Sequence, residues 1–187
     1  MTNSLAIAIA DLSSANSLVR SAAAAMIYRS GRAAADSAVA DWWKDAELAA
    51  LLLPVPAVTV GLAVQRETFA LMRAANGSPR LADVPPDQDA EEFELHFPDD
   101  ISLDVLTSRE PGGTGAIAKY LARFGEGVQQ VEFRCSDVGR ATEILAERFG
   151  IVAVYPRARS GADGALVNFF LVASAGVGKV LIELYEH

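Results

Sequence analysis

The order strand, helix, strand, strand, strand can be traced twice along this chain, and an internal repeat of that kind restricts the fold more than any single motif. In the second half, residues 129–135 read as a strand and residues 138–149 (VGRATEILAERF) as a helix, with Ala141, Ile144, Leu145 and Phe149 on one face and Gly150 as its cap. Residues 151–155, 166–172 and 179–185 read as three further strands. In the first half, residues 57–64 (AVTVGLAV) are β-branched and apolar, residues 67–75 read as a short helix closed by Asn76-Gly77, and a weak strand is expected near residues 81–84. Residues 92–97 (EFELHF) alternate at period two, and a Pro98-Asp99-Asp100 turn joins them to residues 101–107 (ISLDVLT) as a hairpin. The last strands of the two copies align, with Asp104 over Glu183. Between the copies lie a loop, EPGGTG, and a short helix over residues 116–123 ended by Gly125.

The first fifty residues lie outside this repeat. They are rich in alanine and lack proline. Asn3 or Ser4 is expected to cap a helix running through Leu18 and Ala25 towards Tyr28, with Ser30-Gly31 as its stop. A second helix over residues 33–53 would end at Pro54, and the two read as a helical hairpin. Trp42 and Trp43 would point about 100° apart on a helix. One therefore packs inward, and the other onto a neighbouring surface or a second subunit.

A length of 187 residues suits one domain, or one domain with an appendage, and 51% hydrophobic residues supply a sizeable core. The net charge of −8, with no basic run, argues against a nucleic-acid partner, because phosphate binding needs clustered Lys and Arg. The single cysteine, Cys135, excludes an intramolecular disulfide and a cysteine zinc site, and its apolar strand context reads as a buried thiol. The apolar window at residues 48–64 holds Pro54 and Pro56, so it reads as a helix end and a buried strand, not a membrane span. The N-terminus lacks a basic region ahead of its apolar run, so the expected location is cytoplasmic.

Three segments carry a resemblance. GAIAKYLARFGEGVQQVEF (residues 115–133), PRARSGADG (156–164) and GKVLIELYE (178–186) are similar to segments of the vicinal-oxygen-chelate (glyoxalase/bleomycin-resistance/dioxygenase) superfamily, close to methylmalonyl-CoA epimerase. The resemblance spans residues 93–186 well, residues 59–92 more loosely, and the first fifty not at all. It implies an α+β fold of two tandem βαβββ modules forming a cupped mixed sheet. The domain would cover residues 56–187, with modules at 56–109 and 126–187, behind a helical extension at residues 1–55. It also implies a divalent metal (Co, Mn, Mg or Zn) held by the first and last strands of each module. By position those ligands are Thr59, Asp104, Gln130 and Glu183, so both family histidines are replaced. A rival alignment starts the first module at SLAIAIADLSSA and puts Ser4 at the ligand position; the 45-residue interval from Thr59 to Asp104 favours Thr59.

The family reaction takes a proton from the carbon next to a thioester carbonyl. The resemblance therefore implies an isomerase acting on an enolisable carbonyl or acyl thioester, with Asp104 and Glu183 as acid and base and Gln130, His96 and Arg157 as substrate contacts. Its alternative is a metal-free small-molecule-binding protein of the same fold. Neither of the two histidines, His96 and His187, falls at a ligand position. Asp87 and Gln88 sit where the family has an acidic residue, Arg159 joins Arg157 as a candidate anion contact, and AGVGK (175–179) reads as a hairpin loop despite its likeness to a phosphate loop. A small-molecule ligand and a homodimer are the expected partners.

Overall fold

The computed structural model describes residues 2–52, 58–176 and 178–187. The side chain of Asn3, the proline pair Pro54 and Pro56, Ala57 at the start of the expected first strand, and Val177 in the AGVGK loop lie outside the described residues. The chain divides into two compact units, one made of residues 1–30 and 59–129, the other of residues 31–58 and 130–187.

The first unit contains α1 (Thr2–Asp11), the first part of α2 (Ser17–Ala38), all but the first residue of β1 (Val58–Ala63), α4 (Arg66–Ala75), β2 (Ala90–Phe97), β3 (Ile101–Ser108) and α5 (Ala116–Phe124). Its strands lie in the order β2-β3-β1. β1 runs parallel to β3, and β2 pairs antiparallel with β3 on the other side. Paired residues share a face, so Val60, Leu103, Val105, Phe93 and Leu95 make one apolar side of this sheet. α4 covers that side, with the Phe69 and Phe93 ring centroids 4.7 Å apart. The other side carries Thr59, Gly61, Ser102, Asp104, Glu92, Glu94 and His96.

The second unit repeats the plan. It contains the rest of α2, a 3-10 turn at Trp42–Lys44, α3 (Ala46–Leu51), most of β4 (Gly127–Arg134), α6 (Val138–Phe149), β5 (Arg159–Ser160), β6 (Leu166–Ser174) and β7 (Gly178–Glu186). The strand order is β4-β7-β6-β5, with β4 parallel to β7 and β6 antiparallel to it. In each unit, then, the first long strand lies parallel to the last one, and the last one pairs antiparallel with the strand before it. Val131, Phe133, Ile182, Leu184 and Phe170 form the apolar side. Gln130, Glu132, Glu183, Phe169 and Tyr185 lie on the opposite side.

Five local expectations are corrected. The first helix breaks at Leu12–Asn16, because the Asn16 Oδ1 accepts the Leu18 N–H at 2.9 Å and starts a new helix there. That helix then runs straight through Gly31 to Ala38: a mid-helix glycine costs only about 1 kcal/mol, and its alanine-rich neighbours offset that. The second helix is instead a 3-10 turn and a six-residue α3, since Asp45 accepts the Glu47 and Leu48 N–H groups and caps a fresh start. The helical hairpin is therefore a broken series of helices. The weak strand near residues 81–84 forms no ladder; the Ala82 N–H reaches the Glu92 carbonyl at 3.0 Å, and Pro85 and Pro86 stop the segment from continuing as a strand. Residues 151–155 make only a single bridge, Ala153 to Phe170, and the short β5 takes the place of the expected strand.

Other elements fall where expected. Gly150 caps α6 with φ 65°, and the Ile151 N–H closes back on the Leu145 carbonyl at 2.9 Å. β6 and β7 form a hairpin in which Ser174 pairs with Gly178 and Ala173 with Lys179, so of the expected AGVGK loop Gly178 and Lys179 already belong to β7. Among the described residues no helix is long and apolar enough to cross a membrane.

Candidate active site

In the second unit, β4 and β7 place Glu132 directly beside Glu183. Gln130, two residues earlier on β4, shares that face. Its Nε2 donates to the Glu183 Oε2 at 2.7 Å and to the Glu132 Oε1 at 3.1 Å. Gln130 is 6% exposed and Glu132 9%. Two carboxylates and an amide thus form one hydrogen-bonded group on the sheet face turned away from α6. Such a group is costly to bury, and its mutual hydrogen bonds offset that cost. Glu132 was not singled out from the sequence. Its signal is the i, i+2 spacing from Gln130 on a strand, which an aromatic-rich VEF context obscures.

In the first unit, Gly61 pairs with Asp104 and Thr59 with Ser102. Glu132 pairs with Glu183 in the same way, so Thr59 occupies the register position in unit one that Gln130 occupies in unit two. Thr59 and Asp104 are both buried, at 6% exposure each. β2 adds Glu94 opposite Asp104, and Glu92 two residues along on the same face. The rival start at Ser4 is corrected: residues 2–11 are α1, and a helix cannot supply the first strand of a module.

The remaining candidate site residues are exposed or half-buried. His96 lies on the same face of β2 but is exposed, its Nε2 3.0 Å from Glu94 and its Nδ1 3.2 Å from the Ser102 Oγ. Arg157 is exposed in the loop after α6. Arg159 stacks its guanidinium 4.7 Å over the Tyr155 ring, a structural cation–π contact. Asp87 is exposed on the 3-10 turn Pro86–Gln88. Cys135 is buried, and burial pushes its thiol above the usual range, so the thiol stays protonated and unreactive at neutral pH. A hollow of about 100 Å³ in the first unit, lined by Gln65, Arg66, Thr107 and Ser108 among others, includes none of the sequence-predicted residues. The Arg66 Nη2 is spent there on the Ser108 and Arg109 carbonyls, at 3.2 and 3.1 Å.

The donor set is a poor match for a first-row divalent ion. A hydroxyl (Thr59) and an amide (Gln130) stand where the resemblance implies imidazoles, which bind such ions far better. The Gln130 NH2 also takes up carboxylate lone pairs that a cation would need. Among the described residues, no group of three or more His, Cys, Asp or Glu side chains gathers at metal-binding spacing.

No family model and no curated protein matches the chain. Solved structures do. The methylmalonyl-CoA epimerase from Mycobacterium tuberculosis is 30% identical over 68% of this chain and 85% of its own, with a TM-score of 0.55. A variant of the Streptomyces coelicolor methylmalonyl-CoA epimerase, in complex with 2-nitronate-propionyl-CoA, is 23% identical over 68% of this chain and 94% of its own, at a TM-score of 0.54. A methylmalonyl-CoA epimerase in complex with methylmalonyl-CoA and NH4+ is 24% identical over 68% and 91%, also at 0.54. The last two speak to the fold alone. With the repeated strand plan and the identity to the mycobacterial structure in hand, this chain belongs to the vicinal-oxygen-chelate superfamily, alongside the methylmalonyl-CoA epimerases.

Proposed function

We propose that the protein is an epimerase-like isomerase acting on an enolisable carbonyl or acyl thioester. The observation that carries this reading is the Gln130–Glu132–Glu183 group, in which the half-buried Glu183 carboxylate is held 2.7 Å from an amide donor on the buried Gln130. A carboxylate so held is suited to take a proton from the carbon next to a carbonyl and to return it to that carbon. Glu183 is assigned that task. Asp104 holds the equivalent register position in the first unit and is assigned acid–base work there. No step is routed through a metal, given the donor set. Two of the similar structures are complexes with acyl-CoA ligands, 2-nitronate-propionyl-CoA and methylmalonyl-CoA, which supports a small-molecule substrate of that class.

The test is exchange of the α-proton of a 2-carboxyacyl thioester in D2O, followed by NMR. Exchange is expected with the wild-type protein and is expected to fall about 10²–10⁴-fold in Glu183→Gln and in Asp104→Asn, the usual worth of a positioned acid or base. No exchange across a panel of acyl thioesters would sink the reading. A second reading, a metal-free binding protein, is favoured by the same donor set. It predicts saturable binding of such a thioester with no exchange at all.

A further inference from the structure

Gln130 has two carboxylate partners, and the second of them, Glu132, is assigned no task in the reading above. Its placement is specific. Glu132 stands beside Glu183 in the β4–β7 ladder and two residues from Gln130 on one strand face. All three side chains therefore project to one side. The Gln130 amide presents its nitrogen, not its oxygen, to both carboxylates, each of which accepts from it. One carboxylate alone would hold one N–H and leave the amide free to choose between the two broad wells of its last torsion. Two carboxylates, at 2.7 and 3.1 Å from the same nitrogen, remove that choice.

We propose that Glu132 is a positioning residue: it locks the Gln130 amide with its NH2 towards Glu183, giving this site a fixed N–H donor in place of a divalent ion. The proposal rests on the assignment of Glu183 as the reacting carboxylate only for its kinetic consequence. The lock itself is read without any activity. A cation entering this group would have to displace two charge-assisted hydrogen bonds and turn the amide round.

The experiment follows the Gln130 side-chain NH2 by 15N–1H NMR in the full chain, assigned by its loss in Gln130→Ala. In the wild type the two protons are expected to exchange slowly with solvent, and equimolar Mn2+ is expected to broaden them no more than other buried side-chain amides. Glu132→Ala should speed their exchange by at least about tenfold, the equivalent of one charge-assisted hydrogen bond. Glu132→Gln keeps an acceptor oxygen at the same reach and should restore slow exchange. If Glu132→Ala does not fold, Glu132→Asp, which withdraws the carboxylate by one methylene, carries the same expectation. Selective broadening of the Gln130 signals at substoichiometric Mn2+ overturns the proposal, and so does wild-type protection in the alanine variant. Where the wild type also exchanges the α-proton, that rate should fall about tenfold in Glu132→Ala and recover in Glu132→Gln. Absence of α-proton exchange in every protein removes the proposed function and leaves the amide measurements to decide the lock.

Discussion

Trp42 packs edge-on against Phe170, ring centroids 6.3 Å apart, at 1% exposure, while its neighbour Trp43 is 36% exposed. Adjacent aromatics with such different surroundings should differ sharply in cost. Trp42→Ala leaves a cavity and is expected to lower stability by about 3–5 kcal/mol, whereas Trp43→Ala should cost less than about 1 kcal/mol. Urea unfolding of the two variants measures the difference, and equal losses would mean the inward and outward assignments are wrong. That one tryptophan faces in was legible from their adjacency; which one was not, since the 3-10 turn that sets their directions depends on the cap at Asp45. The candidate site shows the same division. Asp104 and Glu183 could be matched from the repeat, and Thr59 and Gln130 from the resemblance. Glu132 could not, because its importance lies in a cross-strand neighbour fifty-one positions away (a pairing that alternation within one strand does not reveal).

At the scale of elements, α3 and α6 are joined by an ionic cluster. Asp45 caps α3 and also receives Arg148 at 2.8 Å, while Glu47 binds Arg140 at 2.8 Å and also Arg148. The Leu48 N–H, followed by Arg148, holds the Asp45 carboxyl below its ordinary value of 3.8. Arg140, followed by Arg148, does the same for Glu47 below 4.5. Both groups bind fewer protons folded than unfolded at these pH values, so their contribution is complete above about pH 5 and fades as pH falls through 4.5 and below. Acid titration followed by circular dichroism should show stability falling over that range, and Arg148→Ala should flatten the fall. An unchanged acid profile in Arg148→Ala would remove the cluster from the account. Long, regularly patterned elements such as β2, β3, α6 and the β6–β7 hairpin were readable because period and caps agree. The helix breaks at Leu12–Asn16 and at residues 39–45 were not. There, local capping by Asn16 and Asp45 overrode a continuous helical composition.

The N-terminal fifty residues read from sequence as an appendage, and the packing of each unit argues for a larger part. In the first unit, Ile9, Leu12 and Ile27 are at most 2% exposed, and the Asn76 Nδ2 ties the Leu12 carbonyl at 3.0 Å. In the second, Trp42, Leu48 and Leu52 are at most 1% exposed. There the Ser174 hydroxyl donates to the Ala34 carbonyl at 2.9 Å, and the Ser136 N–H to that of Leu51 at 2.9 Å. Each unit therefore draws core side chains and backbone partners from this stretch. Burying one large apolar side chain is worth about 1.5–3 kcal/mol, so these six match or exceed much of the ~5–15 kcal/mol by which a whole domain is stable. Deleting residues 1–52 should consequently abolish cooperative unfolding, not merely detach a surface helix. Far-UV circular dichroism across a urea titration of the truncated chain checks this. A sharp transition at the full-length midpoint would show instead that the two sheets and their own helices suffice. The stretch also spans both units, residues 1–30 belonging to one and 31–58 to the other, while α2 crosses that boundary without a break. Placing prolines in α2 at Ala24 or at Ala35, both 0% exposed, separates the two contributions. Ala24→Pro should lower hydrogen-exchange protection first in β1 to β3, and Ala35→Pro first in β6 and β7.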